Sequence, residues 1–195
     1  MSVLMRCSEI TKRPVVTMAG EDIAQVKDVV YGADGGEVAG FTLAGRGMLA
    51  GPLDRSVMWN SVAALGADAI MIADEDALTP IEDLLGTTSS RQGSGRDVLG
   101  AEVLTDTGTA LGDVVDVIVE VDTENRCCDV VGYEIVSSEA LGHKGTKVLI
   151  PLPDTLSASG DHLLVPADAT AFVRDDLAGF GAAVDAFRQQ LKGHH

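Results

Sequence analysis

Short apolar runs broken by polar turns dominate the chain. Val26–Tyr31 is a β-branched run that ends at Asp34-Gly35-Gly36, where Asp-Gly supplies the positive φ of a tight hairpin. Val38–Leu43 follows with period two. Ala39, Phe41 and Leu43 point one way, and Gly40 and Thr42 the other. Further on, Val131, Tyr133 and Ile135 alternate in the same way with Gly132 and Glu134. This alternation predicts a sheet with one buried face. Gly40 and Gly132 hold the same slot, which marks a bend or a close backbone approach. Helical spacing is clear only at the end of the chain. Over Arg174–Lys192, Leu177, Phe180, Val184, Phe187 and Leu191 recur every three or four residues. Asp175 and Asp176 lie at the start of this stretch, and Arg188 and Lys192 near its end. Glu75–Leu85 has room for one short helical turn.

Compared with itself, the chain repeats. Gly20–Val30 aligns with Gly108–Ile118, setting Val26 on Val114 and Asp28 on Asp116. Val38–Leu43 aligns with Val130–Ile135, Ser56–Trp59 with Lys147–Ile150, and Gly66–Met71 with Gly160–Val165. Four blocks in the same order indicate a duplication. Thr87–Gly95 between them is polar, rich in Gly and Ser, and without periodicity, as a linker is. The expected organisation is a first module over residues 1–78, a linker over 79–96, a second module over 97–173 and an amphipathic helix over 174–195. The fold class is mainly β, two tandem small barrels with a C-terminal helix.

These blocks resemble the PRC-barrel family. Ile23–Val30, a turn, and Val38–Phe41 carry the resemblance in the first copy. Leu99–Val103, Asp106–Gly108, Leu111–Val117 and Val131–Tyr133 carry it more fully in the second. It covers most of residues 5–72 and 97–166, and the first copy departs at Ala24, where the family usually has glycine. The family's module is a small β-barrel. It occurs in the cytoplasmic part of the photosynthetic reaction-centre H subunit and in the C-terminal half of a bacterial ribosome-maturation factor. The resemblance implies a binding or assembly module with no shared catalytic residues, and so no enzyme and no cofactor.

Charge narrows the partners. Thirty acidic residues against 14 basic ones leave a net charge of −16. This disfavours direct contact with nucleic acid or an anionic membrane, both of which are met by Lys/Arg clusters. Only 4% of residues are aromatic. The expected core is therefore aliphatic. No apolar run approaches membrane-spanning length. The N-terminal residues lack the apolar stretch of a signal peptide, and three cysteines make no disulfide framework. The expected location is the cytoplasm. His194 and His195 read as a tag remnant.

Candidate chemistry is sparse. Asp28 and Asp116 are single carboxylates per copy, expected to cap a turn or face solvent. Cys127 and Cys128 point to opposite faces of a strand and cannot chelate together, and Cys7 is expected to pack. His162 is expected at an exposed turn, and Trp59 in the core facing Ile150. Two glycine-flanked loops carry cations: Gly45–Gly51, with Arg46, Met48 and Leu49, and Leu141–Gly145, with His143 and Lys144. They are the expected interaction site, because loops on a rigid scaffold carry function. The helix stripe is expected to dock on its own barrels or on a twin subunit. The leading expectation is a non-catalytic assembly module with an unidentified protein partner, forming a homodimer. The alternatives are an anion or metal sensor built on the glycine-rich loops and a ribosome or RNA-processing accessory factor.

Overall fold

A computed structural model describes residues 2–33, 35–47, 49–87, 98–122, 124–152, 157–159 and 162–193. The chain divides into two compact units. One comprises residues 1–95 with 120–129, the other residues 96–119 with 130–195.

The first unit opens with β1 (Ser2–Arg6) and the single turn α1 (Cys7–Ile10). Its sheet is built from β2 (Pro14–Thr17), β3 (Asp22–Tyr31), β4 (Val38–Ala44), β5 (Pro52–Met58), β6 (Val62–Leu65), β7 (Ile70–Ile72) and β8 (Leu78–Pro80), and α2 (Ile81–Thr87) follows. The strand order is β6-β7-β2-β3-β4-β5-β8, with β2 and β7 parallel and the other neighbours antiparallel. Val15, Val26, Phe41, Leu43, Val57, Ile70 and Ile72 form an almost wholly aliphatic core.

The second unit contains β9 (Glu102–Thr105), β10 (Ala110–Asp122), β11 (Cys127–Ser137), β12 (Lys147–Pro151), β13 (Ser157–Ser159), β14 (His162–Val165) and α3 (Leu177–Lys192). The hairpin tip between β10 and β11 is the segment grouped with the first unit. The order is β12-β11-β10-β9-β14-β13, and β14 runs parallel to β9 as β7 does to β2.

Backbone hydrogen bonds prove the repeat residue by residue. Val26 bonds Lys12 and Arg13, and Val114 bonds Gly100 and Ala101 in the same pattern. Lys12 and Gly100 both take left-handed φ, at 70° and 87°. Later blocks correct the alignment read from sequence. Phe41 faces Val57 and Tyr133 faces Ile150, so Val57 corresponds to Ile150, two residues from the expected match. Val15 faces Ile70 and Val103 faces Leu163, so the last block slips by one. A slip of one flips every side chain to the other face. It had paired buried Ile70 with Leu164, which is exposed.

The two-faced alternation is also corrected. On β4 and β11 both faces are buried: Gly40 and Thr42 are buried like Phe41 and Leu43, and Gly132 and Glu134 like Tyr133 and Ile135. The reason is a helix laid on the glycine slot. A Cβ on Gly40 would collide with the Val57 carbonyl and stand 2.9 Å from Leu84 Cδ1 of α2. On Gly132 it would stand 2.5 Å from Phe180 Cζ of α3.

The module is therefore longer than its sequence signature. In each unit a strand segment pairs with the last barrel strand and leads into the covering helix. Thr79 pairs with Ser56, and Arg174 exchanges both backbone bonds with Leu149, at 2.6 and 3.0 Å. Strand and helix are described through Thr87, and residues 88–96 of the expected linker lie outside the described residues. The pairing of Arg174 also delays α3 to Leu177, where Asp176 caps it by accepting from the Gly179 N–H at 2.6 Å. The expected first-copy departure at Ala24 has a physical counterpart. Gly112, its equivalent, has φ 147° and lies so close to the Val136 carbonyl that no Cβ fits.

Candidate interaction surfaces

The glycine-flanked loops join β4 to β5 in one unit and β11 to β12 in the other. Arg46 is committed to Asp22, Nη2 to Oδ2 at 2.6 Å. Leu49 is fully exposed, and Met48 lies outside the described residues. His143 is exposed, and its carbonyl accepts from the Ser137 hydroxyl and from the Thr146 N–H at 3.4 Å. Lys144 pairs with Glu139 at 3.5 Å. Arg46 and Lys144 therefore each already face a carboxylate of their own unit, which weakens either loop as an anion cradle.

The helix stripe docks on its own unit. Phe180, Val184 and Phe187 are buried together with Ala183, while Leu177 and Leu191 are half-buried. Phe180 fills the Gly132 slot, and Phe187 tilts against Phe172 with centroids 5.2 Å apart.

The equivalent aspartates differ. Asp28 is partly exposed and lies 3.9 Å from Lys27. Asp116 is buried, with Oδ1 accepting from the Val117 N–H at 2.8 Å. Buried Glu134, across the sheet from Leu149, pairs with Lys147 at 3.4 Å. Among the described residues, no three His, Cys, Asp or Glu side chains are placed to hold a metal. Cys7 is buried and accepts from the Tyr31 hydroxyl at 3.0 Å. Burial pushes the Cys128 thiol strongly upward, helped by the charge of Cys7, and raises half-buried Cys127, helped by Asp129. Burial also pushes Tyr133 up to about 12.

Sequence reasoning missed one contact of the first unit. Trp59 is not on a strand facing Ile150. It begins a 3-10 turn, half-buried, with its ring edge-on to Phe41 at 6.2 Å. Its Nε1 donates to the Arg126 carbonyl at 2.8 Å, and the Arg126 guanidinium donates to the carbonyls of Asn60 and Val62. Asp122 shapes this turn by accepting from the Glu124 and Asn125 N–H groups, which holds its carboxyl below the usual range. The signal in the sequence was one arginine in an otherwise acidic turn. The shallow cavity beside Trp59 has a volume of about 30 Å³, room for roughly one water and no ligand.

Large apolar side chains are exposed in the second unit, in the turn before β9 and on β10 and β14. Leu99 is 47% exposed, Leu164 43% and Val115 37%. The family model described as PRC-barrel domain matches the chain twice, at residues 3–78 and 92–171. No curated protein matches the chain.

Proposed function

From the premise that this chain belongs to the PRC-barrel family, which it matches over most of its length, we propose that it is a non-catalytic protein-interaction module. The observation that carries this reading is the exposed apolar set of Val115 and Leu164 on an otherwise well-packed sheet, with Leu99 in the turn before β9. The groups that chemistry might have used are engaged within the fold. Arg46, Lys144 and Glu134 sit in ion pairs, and Cys7 and Cys128 are buried. No helix among the described residues is long and apolar enough to cross a membrane. Three unbridged cysteines fit a reducing compartment, which supports a cytoplasmic setting.

The partner this reading favours is a different protein. The helix stripe that suggested a homodimer packs on its own unit, and two copies of a −16 chain repel each other. Light scattering on the full chain is expected to return a monomer. Affinity capture followed by quantification is expected to recover one protein in stoichiometric, saturable amount. Recovery of no stoichiometric protein partner under any condition overturns the reading.

A further inference from the structure

The two copies present the same outer sheet surface with different chemistry. In the second unit Leu104 and Leu164 are register partners on β9 and β14, and Glu102 partners His162 beside them, with Oε2 and Nε2 3.5 Å apart. Asp113 of β10 is the partner of Glu102. Val115 lies two residues further along β10 and so shares that face. The matching register in the first unit places Val16 and Met71 at the leucine positions, Gln25 at that of Asp113, and Lys27 at that of Val115. Thr11 and Lys12 correspond to Leu99 and Gly100.

Several changes therefore separate one unit from its duplicate at these positions. Lys12 and Lys27 give way to Gly100 and Val115, Gln25 and Pro14 to the carboxylates Asp113 and Glu102, Thr11 to Leu99, and Ala69 to His162. The fold does not require the change, because the first unit builds the same strands with the polar set. What remains is an apolar strip with carboxylates at Glu102 and Asp113 and no Lys or Arg at the positions named.

We propose that this face of β10, β9 and β14 docks a cationic amphipathic segment of another protein. Its apolar side would cover Leu104, Val115 and Leu164, and its Lys or Arg side chains would meet Asp113 and Glu102. Charge complementarity selects this occupant over a second copy of an acidic chain or an anionic surface. The patch is small, so the encounter is weak and its acids act chiefly on association rate. This inference rests on the protein-interaction reading.

The test uses the full chain, ¹⁵N-labelled, and a synthetic helical peptide with leucines on one face and lysines on the other. A leucine–glutamate peptide of the same pattern is the control. Saturable amide shifts are expected at Glu102, Leu104, Val115 and Leu164 with the lysine peptide. Replacing Leu99→Thr, Asp113→Gln and Val115→Lys together restores residues that the same fold already carries in its first copy. This triple variant is expected to fold and to bind about tenfold more weakly, a loss of roughly 1.4 kcal/mol. Shifts spread without saturation over the acidic surface, an equal response to the glutamate peptide, or unchanged binding by the triple variant each overturn the assignment. A natural partner recovered equally by wild type and triple variant also overturns it, and leaves the interaction reading standing.

Discussion

The two units solve one packing problem with unequal means. Each has a glycine in its third repeat strand, β4 or β11, where the backbone of the next strand crowds in, and each drops one apolar side chain from a following helix onto that glycine. In the first unit the helix is seven residues long and contributes Leu84. In the second it is sixteen residues long and contributes Phe180, with Ala183, Val184 and Phe187 buried behind it. The glycine and its plug belong to the fold, and the length of the helix is free to vary. The same comparison on the outer face separates residues that hold the sheet together from residues that differ for another reason.

Substitutions at the plug test the comparison most sharply. Phe180→Ala is expected to cost about 3–5 kcal/mol, and Leu84→Ala about 2–5 kcal/mol, in urea unfolding. A helix that serves only as decoration would lose under 1 kcal/mol in that assay, and the parallel between the units would fail. The slot itself comes next. Gly132→Ala and Gly40→Ala are each expected to cost about 1–3 kcal/mol or more, because the colliding atoms include backbone carbonyls that cannot swing aside. Gly51→Ala, with nothing within 4 Å, is the near-neutral control.

Alkaline pH distinguishes the units in a different way. Cys128, in the first unit, has its thiol raised above the ordinary 9.0, and Tyr133, in the second, is raised from 10.0 to about 12. Above each ordinary value the unfolded chain has lost a proton that the folded chain keeps. Stability is therefore full below that value and falls as pH rises, by up to about 1.4 kcal/mol per pH unit for each group. The first unit should begin to weaken near pH 9 and the second near pH 10. Cys128→Ser should remove the earlier onset in a pH series of thermal melts, and an unchanged onset would refute the assignment. In the same range, Cys127 should react with a thiol reagent before Cys7 and Cys128, which require unfolding.

Smaller effects belong at the helix cap and the loops. Asp176→Ala is expected to cost about 1 kcal/mol through the lost bond to the Gly179 N–H. Lys144→Ala, which breaks only an exposed pair, should move the midpoint by less than about 0.5 kcal/mol.

Much of this was legible in the sequence. The Val26 and Val114 runs, the turns after them and the paired glycines carry strong local patterns, because β-branched alternation and Gly-rich turns follow from sterics alone. What covers a strand is a long-range fact. Gly40 and Gly132 announce a close approach without naming Leu84 or Phe180 as the group that arrives. Thr42 and Glu134 look solvent-facing for the same reason, since polar residues in alternation say nothing of burial on the second face. The one-residue slip at Ile70 arose because Ala-Ile-Met-Ile is apolar on both faces and pins no register. The loop cations drew attention by their sign alone. The acids that pair with them, Asp22 and Glu139, sit outside the loops and gave no warning.

The plug also bears on how the protein tolerates being divided. The family signature closes at residue 78 in the first copy and at 171 in the second, in each case before the helix begins. A chain trimmed to those limits cuts β8 after Leu78, drops the Arg174 pairing and loses the stopper. It would present a bare glycine groove to solvent, open to any stray helix that fits. The stretch that the family model matches is thus shorter than the piece that can stay dry inside.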